Sequence, residues 1–118
     1  MGLVSLLQKQ AQRRAEMICK HRNQSLPAEF GKASYEMAGQ GVVFIKQFFL
    51  LDSNHCEYMS PVAKVDWNDD LGAWQLFMLS PEDSDQESWT PYPYLPPSLD
   101  LTAIMREVDK DPKAVFWD

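Results

Sequence analysis

Ser60 to Leu79 constrains this chain more than any other stretch. It reads Ser-Pro-Val-Ala-Lys-Val-Asp-Trp, then Asn-Asp-Asp-Leu-Gly, then Ala-Trp-Gln-Leu-Phe-Met-Leu. Two alternating runs rich in β-branched and aromatic residues flank a polar cluster ending in Gly72, which is the sequence form of a β-hairpin. Pairing Asn68 with Ala73 sets Trp67 opposite Trp74, Val65 opposite Leu76 and Ala63 opposite Met78. Side chains alternate along a strand, so these six share one face while Lys64, Asp66, Gln75 and Phe77 share the other. The first face is expected to be core and the second mainly wet. A one-residue slip would expose both tryptophans, and that fixes the register.

A second hairpin precedes this one. Ser34 to Ala38 and Gly41 to Leu51 flank Gly39-Gln40. On the longer strand, Val43, Ile45, Phe49 and Leu51 fall on one side and Val42, Phe44, Phe48 and Leu50 on the other. A strand apolar on both faces belongs in mid-sheet with cover on both sides, the second cover being either the C-terminal helix or another subunit. The loop from Asp52 to Tyr58 is polar, and Pro61 fits the start of the next strand, where no ladder donor is lost. After Ser80-Pro81 the carboxylates of Glu82, Asp83, Asp85 and Glu87 mark a solvated loop. Ser88-Trp89-Thr90 begins a short fifth strand that Pro91, Pro93, Pro96 and Pro97 confine to an edge or to an extended segment.

Leu3, Leu7, Ala11, Ala15 and Ile18 recur near helical spacing, while Lys9, Gln10, Gln12, Arg13, Glu16 and Lys20 fill the other side. This predicts an amphipathic helix ending near Asn23 to Ser25, before Leu26-Pro27. Its polar side is basic in an otherwise acidic protein, which suits simple solvation, an acidic partner or a nucleic acid. Ser98 or Asp100 can cap a second helix whose Leu101, Ile104, Met105 and Val108 form its apolar stripe, and Asp111-Pro112 stops it. Ala114-Val115-Phe116-Trp117 is too apolar for a frayed tail and is expected to dock on the core. The whole predicts a single α+β domain over residues 1–118. Its antiparallel β-sheet has about four to five strands, two hairpins plus an edge strand, flanked by an N-terminal helix and a short C-terminal helix.

Charge and cysteine usage narrow the function classes. Eleven Lys and Arg against seventeen Asp and Glu leave a net charge of −6. That balance opposes a phosphate backbone, so no nucleic acid is expected as a partner. Cys19 and Cys56 form no disulfide framework and read as reduced thiols of a cytoplasmic protein. Met1 to Leu7 lacks a cleavage pattern, and Val42 to Leu51 is far shorter than the roughly 20 residues that span a bilayer, so no membrane association is expected. Cys19, His21, His55 and Cys56 supply zinc-type donors in kind, but residues two apart on a helix point away from each other. No metal and no cofactor is expected, and no Ser, Cys or His has a base and an orienting acid in its sequence context.

Lys64 is a lone cation in the middle of a strand. It either salt-bridges Asp66 or a neighbouring carboxylate, or anchors an anionic ligand in a pocket with Phe77, Trp89 and Tyr92. Those four are the candidate ligand-binding residues, and no residue is assigned a catalytic role. An uncovered apolar sheet face favours a non-enzymatic interaction or structural protein that self-associates, in the simplest case as a homodimer, or binds a protein partner. The alternative is a small-molecule binding protein or an enzyme of unknown reaction built around Lys64.

Ser60-Pro61-Val62-Ala63-Lys64, the Trp74-initiated strand, Trp89 followed by Tyr92, and Asp109-Lys110-Asp111-Pro112 leading to Phe116-Trp117 carry a family resemblance. Over Met59 to Asp118 the chain resembles the bacterial family catalogued as domain of unknown function 3024, small proteins with no assigned activity. The family's arginine and proline near the end of the strand from Val42, and the arginine after its Trp-initiated strand, have no counterpart here. Its final glycine is Asp118. The resemblance implies a fold and a bacterial cytoplasmic home, without implying a chemistry.

Overall fold

A computed structural model describes residues 2–25, 32–49, 56–79 and 89–117. In chain order the elements are α1 (Gly2–Ser25), β1 (Lys32–Ala38), β2 (Gly41–Phe49), β3 (Cys56–Asn68), β4 (Ala73–Leu79), β5 (Trp89–Pro91) and α2 (Leu101–Lys110). The five strands form one antiparallel sheet in the order β1-β2-β3-β4-β5, so every strand lies beside its neighbour in sequence. The β3–β4 register pairs Asn68 with Ala73, Trp67 with Trp74, Val65 with Leu76 and Ala63 with Met78, as the alternation predicts. Trp67 and Trp74 meet edge to face at 5.5 Å. Gly72 turns the chain at φ +61°, a conformation that costs glycine little because it has no Cβ. Gly41 is required for a different reason: a Cβ there would collide with the Val65 carbonyl of β3.

On one face of the sheet, Val42, Phe44, Ala63, Val65, Trp74 and Leu76 are buried in a core that also holds the apolar stripes of both helices. A register shift between Phe44 and Ile45 brings Val62 as well as Ala63 into that core. α1 lays Leu7, Ala11, Ala15 and Ile18 on β1 and β2, and its two alanines are fully buried, allowing close approach to the sheet. α2 lays Leu101, Ile104, Met105 and Val108 beside β4 and β3. Both helices therefore cover the same face. The second cover of β2 is not the C-terminal helix, and Ile45, on the other face, is buried outside the main core.

Side-chain hydrogen bonds pin the helices in place. Asn23 near the end of α1 both donates to and accepts from the Ala33 backbone at 2.9 and 2.8 Å, standing in for a strand neighbour of β1. Gln8 donates to the Gly39 carbonyl in the β1–β2 turn. At the start of α2, Asp100 is the cap, its carboxylate accepting from the Ala103 N–H, while Ser98 supports it by accepting from the Asp100 N–H. Expectations for Leu26-Pro27, Leu50, Leu51, residues 52–55, the run from Glu82 to Glu87 and Asp118 lie outside the described residues, as do those for the side chains of Leu3, Phe48 and Phe49. The expected loop does not extend to Tyr58: β3 already begins at Cys56, which places Pro61 inside the strand, opposite Ile45 at the register shift, where an irregular ladder tolerates a residue without an N–H. No described helix is long and apolar enough to cross a membrane.

Candidate functional site

The four candidate ligand-binding residues divide between the two sheet faces. Lys64 pairs with Phe77 across β3 and β4, and its Nζ lies 5.6 Å from the Phe77 ring centroid. Phe77 pairs with Pro91 and Leu79 with Trp89, so Trp89 shares this outer face with Lys64 and Phe77. Tyr92 is one position beyond Pro91 and faces the opposite way, 4% exposed, with its ring 5.2 Å from that of Phe116. Its hydroxyl donates to the Glu107 carboxylate at 2.6 Å. Burial, that hydrogen bond and the nearby carboxylates of Glu107 and Asp111 push the phenol far up. Tyr92 is thus a core residue joining β5 to α2, and Lys64, Phe77 and Trp89 form a half-exposed wall without it.

The metal-type donors do not converge either. Cys19 is buried on the core side of α1, and burial pushes its thiol up to about 11 against the opposing pull of Arg22. At neutral pH it stays protonated and a poor nucleophile or metal ligand. His21 points away and is 3.8 Å from Asp109. Among the described residues no three His, Cys, Asp or Glu side chains come together in a way that could hold a metal ion. His55 and the side chain of Cys56 lie outside the described residues.

Two groups of residues that spacing alone did not single out are brought together around α2. The first is a clamp on Trp117. Its indole N–H donates to the Val108 carbonyl at 2.9 Å, Arg22 lies 4.4 Å over its ring, and Lys46 donates to its carbonyl at 2.6 Å. Arg22 also donates to the Asp109 carbonyl at 2.7 Å, so one guanidinium ties α1 to α2 and to the C-terminal segment. The signal for this clamp was the Asp109-Lys110-Asp111-Pro112 motif with Phe116-Trp117, legible as packing but not as a partner for Arg22.

The second is a groove between the helices. α1 and α2 run in the same direction, with Arg14 beside Leu101 and Thr102 at one end and Arg22 at Asp109 toward the other. Arg14 and Met17 line both of two adjoining hollows, of about 410 and 590 Å³. Lys9, Arg13, Arg14, Arg106 and Lys110 border them, and none forms an ion pair with another described residue. Asp109, the carboxylate among the lining residues, lies 3.9 Å from Arg22 and 3.8 Å from His21. Leu6 and Met17 remain 54% and 59% exposed there, far more than apolar side chains on a packed helix face. The basic side of α1 was legible in the sequence, whereas the addition of Arg106 and Lys110 from α2 needed the parallel docking of the helices.

A family model described as domain of unknown function (DUF3024) matches residues 3–118, and so extends through the N-terminal half as well as the stretch from Met59 that carries the sequence resemblance. No curated protein and no solved structure shows a significant match to the chain. The chain belongs to the DUF3024 family.

Proposed function

We propose that this member of the DUF3024 family is a non-enzymatic bacterial interaction protein of the cytoplasm that pairs with a second copy of itself through the outer face of its sheet. The observation that carries the reading is the placement of both helices on one face. The other face has no described helix over it, yet carries Val43, Phe77, Leu79 and Trp89, all half-buried, with Met59 55% exposed beside Gln47. Its charges are mixed, Lys32 and Lys64 against Glu36 and Asp66, so two copies related by a twofold axis can set opposite charges against each other. An apolar patch with a balanced polar surround is the usual composition of a non-obligate interface. Lys64 beside Phe77 and Trp89 also supports a second reading, in which this wall holds a small anionic ligand.

Native mass spectrometry separates the two. The parent chain is expected to appear as a bare dimer, and Phe77→Glu, which adds a carboxylate to each side of the paired faces, as a monomer with unchanged circular dichroism. A monomeric parent chain refutes the self-pairing, and a monomer carrying a retained anionic mass favours the ligand reading.

A further inference from the structure

From the groove between α1 and α2 we infer a docking site for an acidic amphipathic helix of a protein partner. This rests on the reading of the chain as an interaction protein but uses the side of the molecule opposite the sheet face. Charge complementarity is the first argument. In a chain of net charge −6, five cations line one groove, and its one lining carboxylate is already held by Arg22 and His21. The occupant is therefore anionic.

The floor supplies the second argument. Leu6 and Met17 offer the occupant exposed apolar surface between cationic rims, and methionine adapts its unbranched side chain to irregular knobs. From Leu6 to His21 the groove runs roughly 22 Å at the rise of an α-helix, about four turns. A helix laid along it presents apolar residues at i, i+3, i+4 and i+7 to the floor and Asp or Glu to the rims. A phosphate polymer gains nothing from the apolar floor and is repelled at longer range by the rest of the chain. A second copy of α1 brings the same cations and is repelled by the rims.

The probe is a fluorescein-labelled peptide of about 16 residues, enough to cover the groove as a helix, with leucines on one stripe and glutamates elsewhere. It is read by anisotropy beside a peptide of the same composition with the stripe scrambled, polyglutamate, an oligo-dT strand and phosphatidylglycerol vesicles. The striped peptide is expected to bind one per chain and about tenfold or more tightly than the scrambled one, a margin near 1.4 kcal/mol. Arg14→Glu and Met17→Glu, both at exposed positions, are each expected to weaken it by a similar factor without changing the melting temperature. Phe77→Glu is expected to leave it unchanged.

Equal binding of the scrambled peptide or polyglutamate overturns the inference, as does tighter binding of oligo-dT or vesicles, or indifference to Arg14→Glu. A parent chain that is dimeric by mass but does not bind the striped peptide sinks the groove and spares the sheet-face pairing. Striped-peptide binding by a monomeric chain does the reverse.

Discussion

The Asp111 carboxylate gathers the last described residues of the chain. Asp111 is the C-cap of α2 in the left-handed region, φ +46°, and its two oxygens accept from the N–H groups of Val115, Phe116 and Trp117. Hydrogen bonds to a charged group contribute about 1.5–3 kcal/mol each before they share an acceptor. Asp111→Ala is expected to cost roughly 2–3 kcal/mol in urea denaturation, since it removes the shared acceptor and places a residue with little tolerance for positive φ at the cap. Asp111→Asn, which tolerates that conformation and keeps one oxygen, is expected to cost about half as much. In the sequence Asp111 is legible only as a helix stop before Pro112. Its hold on residues 115–117 depends on positive φ at both Asp111 and Ala114, and no side-chain pattern announces that an alanine will sit at φ +56°.

The strands were the most legible elements. Their period of two fixes which residues share a face, and the Trp67–Trp74 pair fixes the register, so the β3–β4 ladder follows from the sequence residue by residue. The face taken by α2 was not legible. A helical stripe says which side of a helix is buried, but not against which side of a sheet it is buried. The divided fate of the four site candidates has the same origin. Trp89 and Tyr92 are three apart in an extended segment, so they face opposite ways and cannot both join Lys64. The C-terminal segment met its expectation in its second half: Phe116 and Trp117 are buried in the main core, whereas Ala114 and Val115 stay exposed. Deleting Val115 to Asp118 empties the space of two aromatic side chains, each worth about 3–5 kcal/mol to a core. The truncated chain is expected to lose its cooperative thermal transition by circular dichroism, and a parental melt would contradict the packing described.

Considered whole, the molecule separates its charge, with a basic groove on the helix layer of an acidic chain. It also keeps its titratable core groups protonated. The Cys19 thiol holds its proton up to about 11 when folded against 9.0 otherwise, so the folded state binds more protons between those values. Stability is fully present below pH 9 and falls as pH rises toward 11, with Tyr92 acting in the same direction above pH 10. Urea midpoints taken from about pH 8 to about pH 10.5 are expected to fall less steeply for Cys19→Ala than for the parent chain. Equal slopes would mean that the thiol ionises as freely in the folded protein as in the unfolded one. The clamp on Trp117 has a further consequence, for the order in which the chain folds as it is made. Each strand finds its partner in the adjoining stretch, so the meander can assemble while synthesis is still under way. Arg22 meets Asp109 across 87 residues, and Lys46 meets the Trp117 carbonyl across 71. Until residue 117 leaves the ribosome, the stripe of α1 and the core face of the sheet lack their C-terminal closure. The nascent chain is then most exposed to aggregation, and a chaperone that shields apolar surface has the most to offer it.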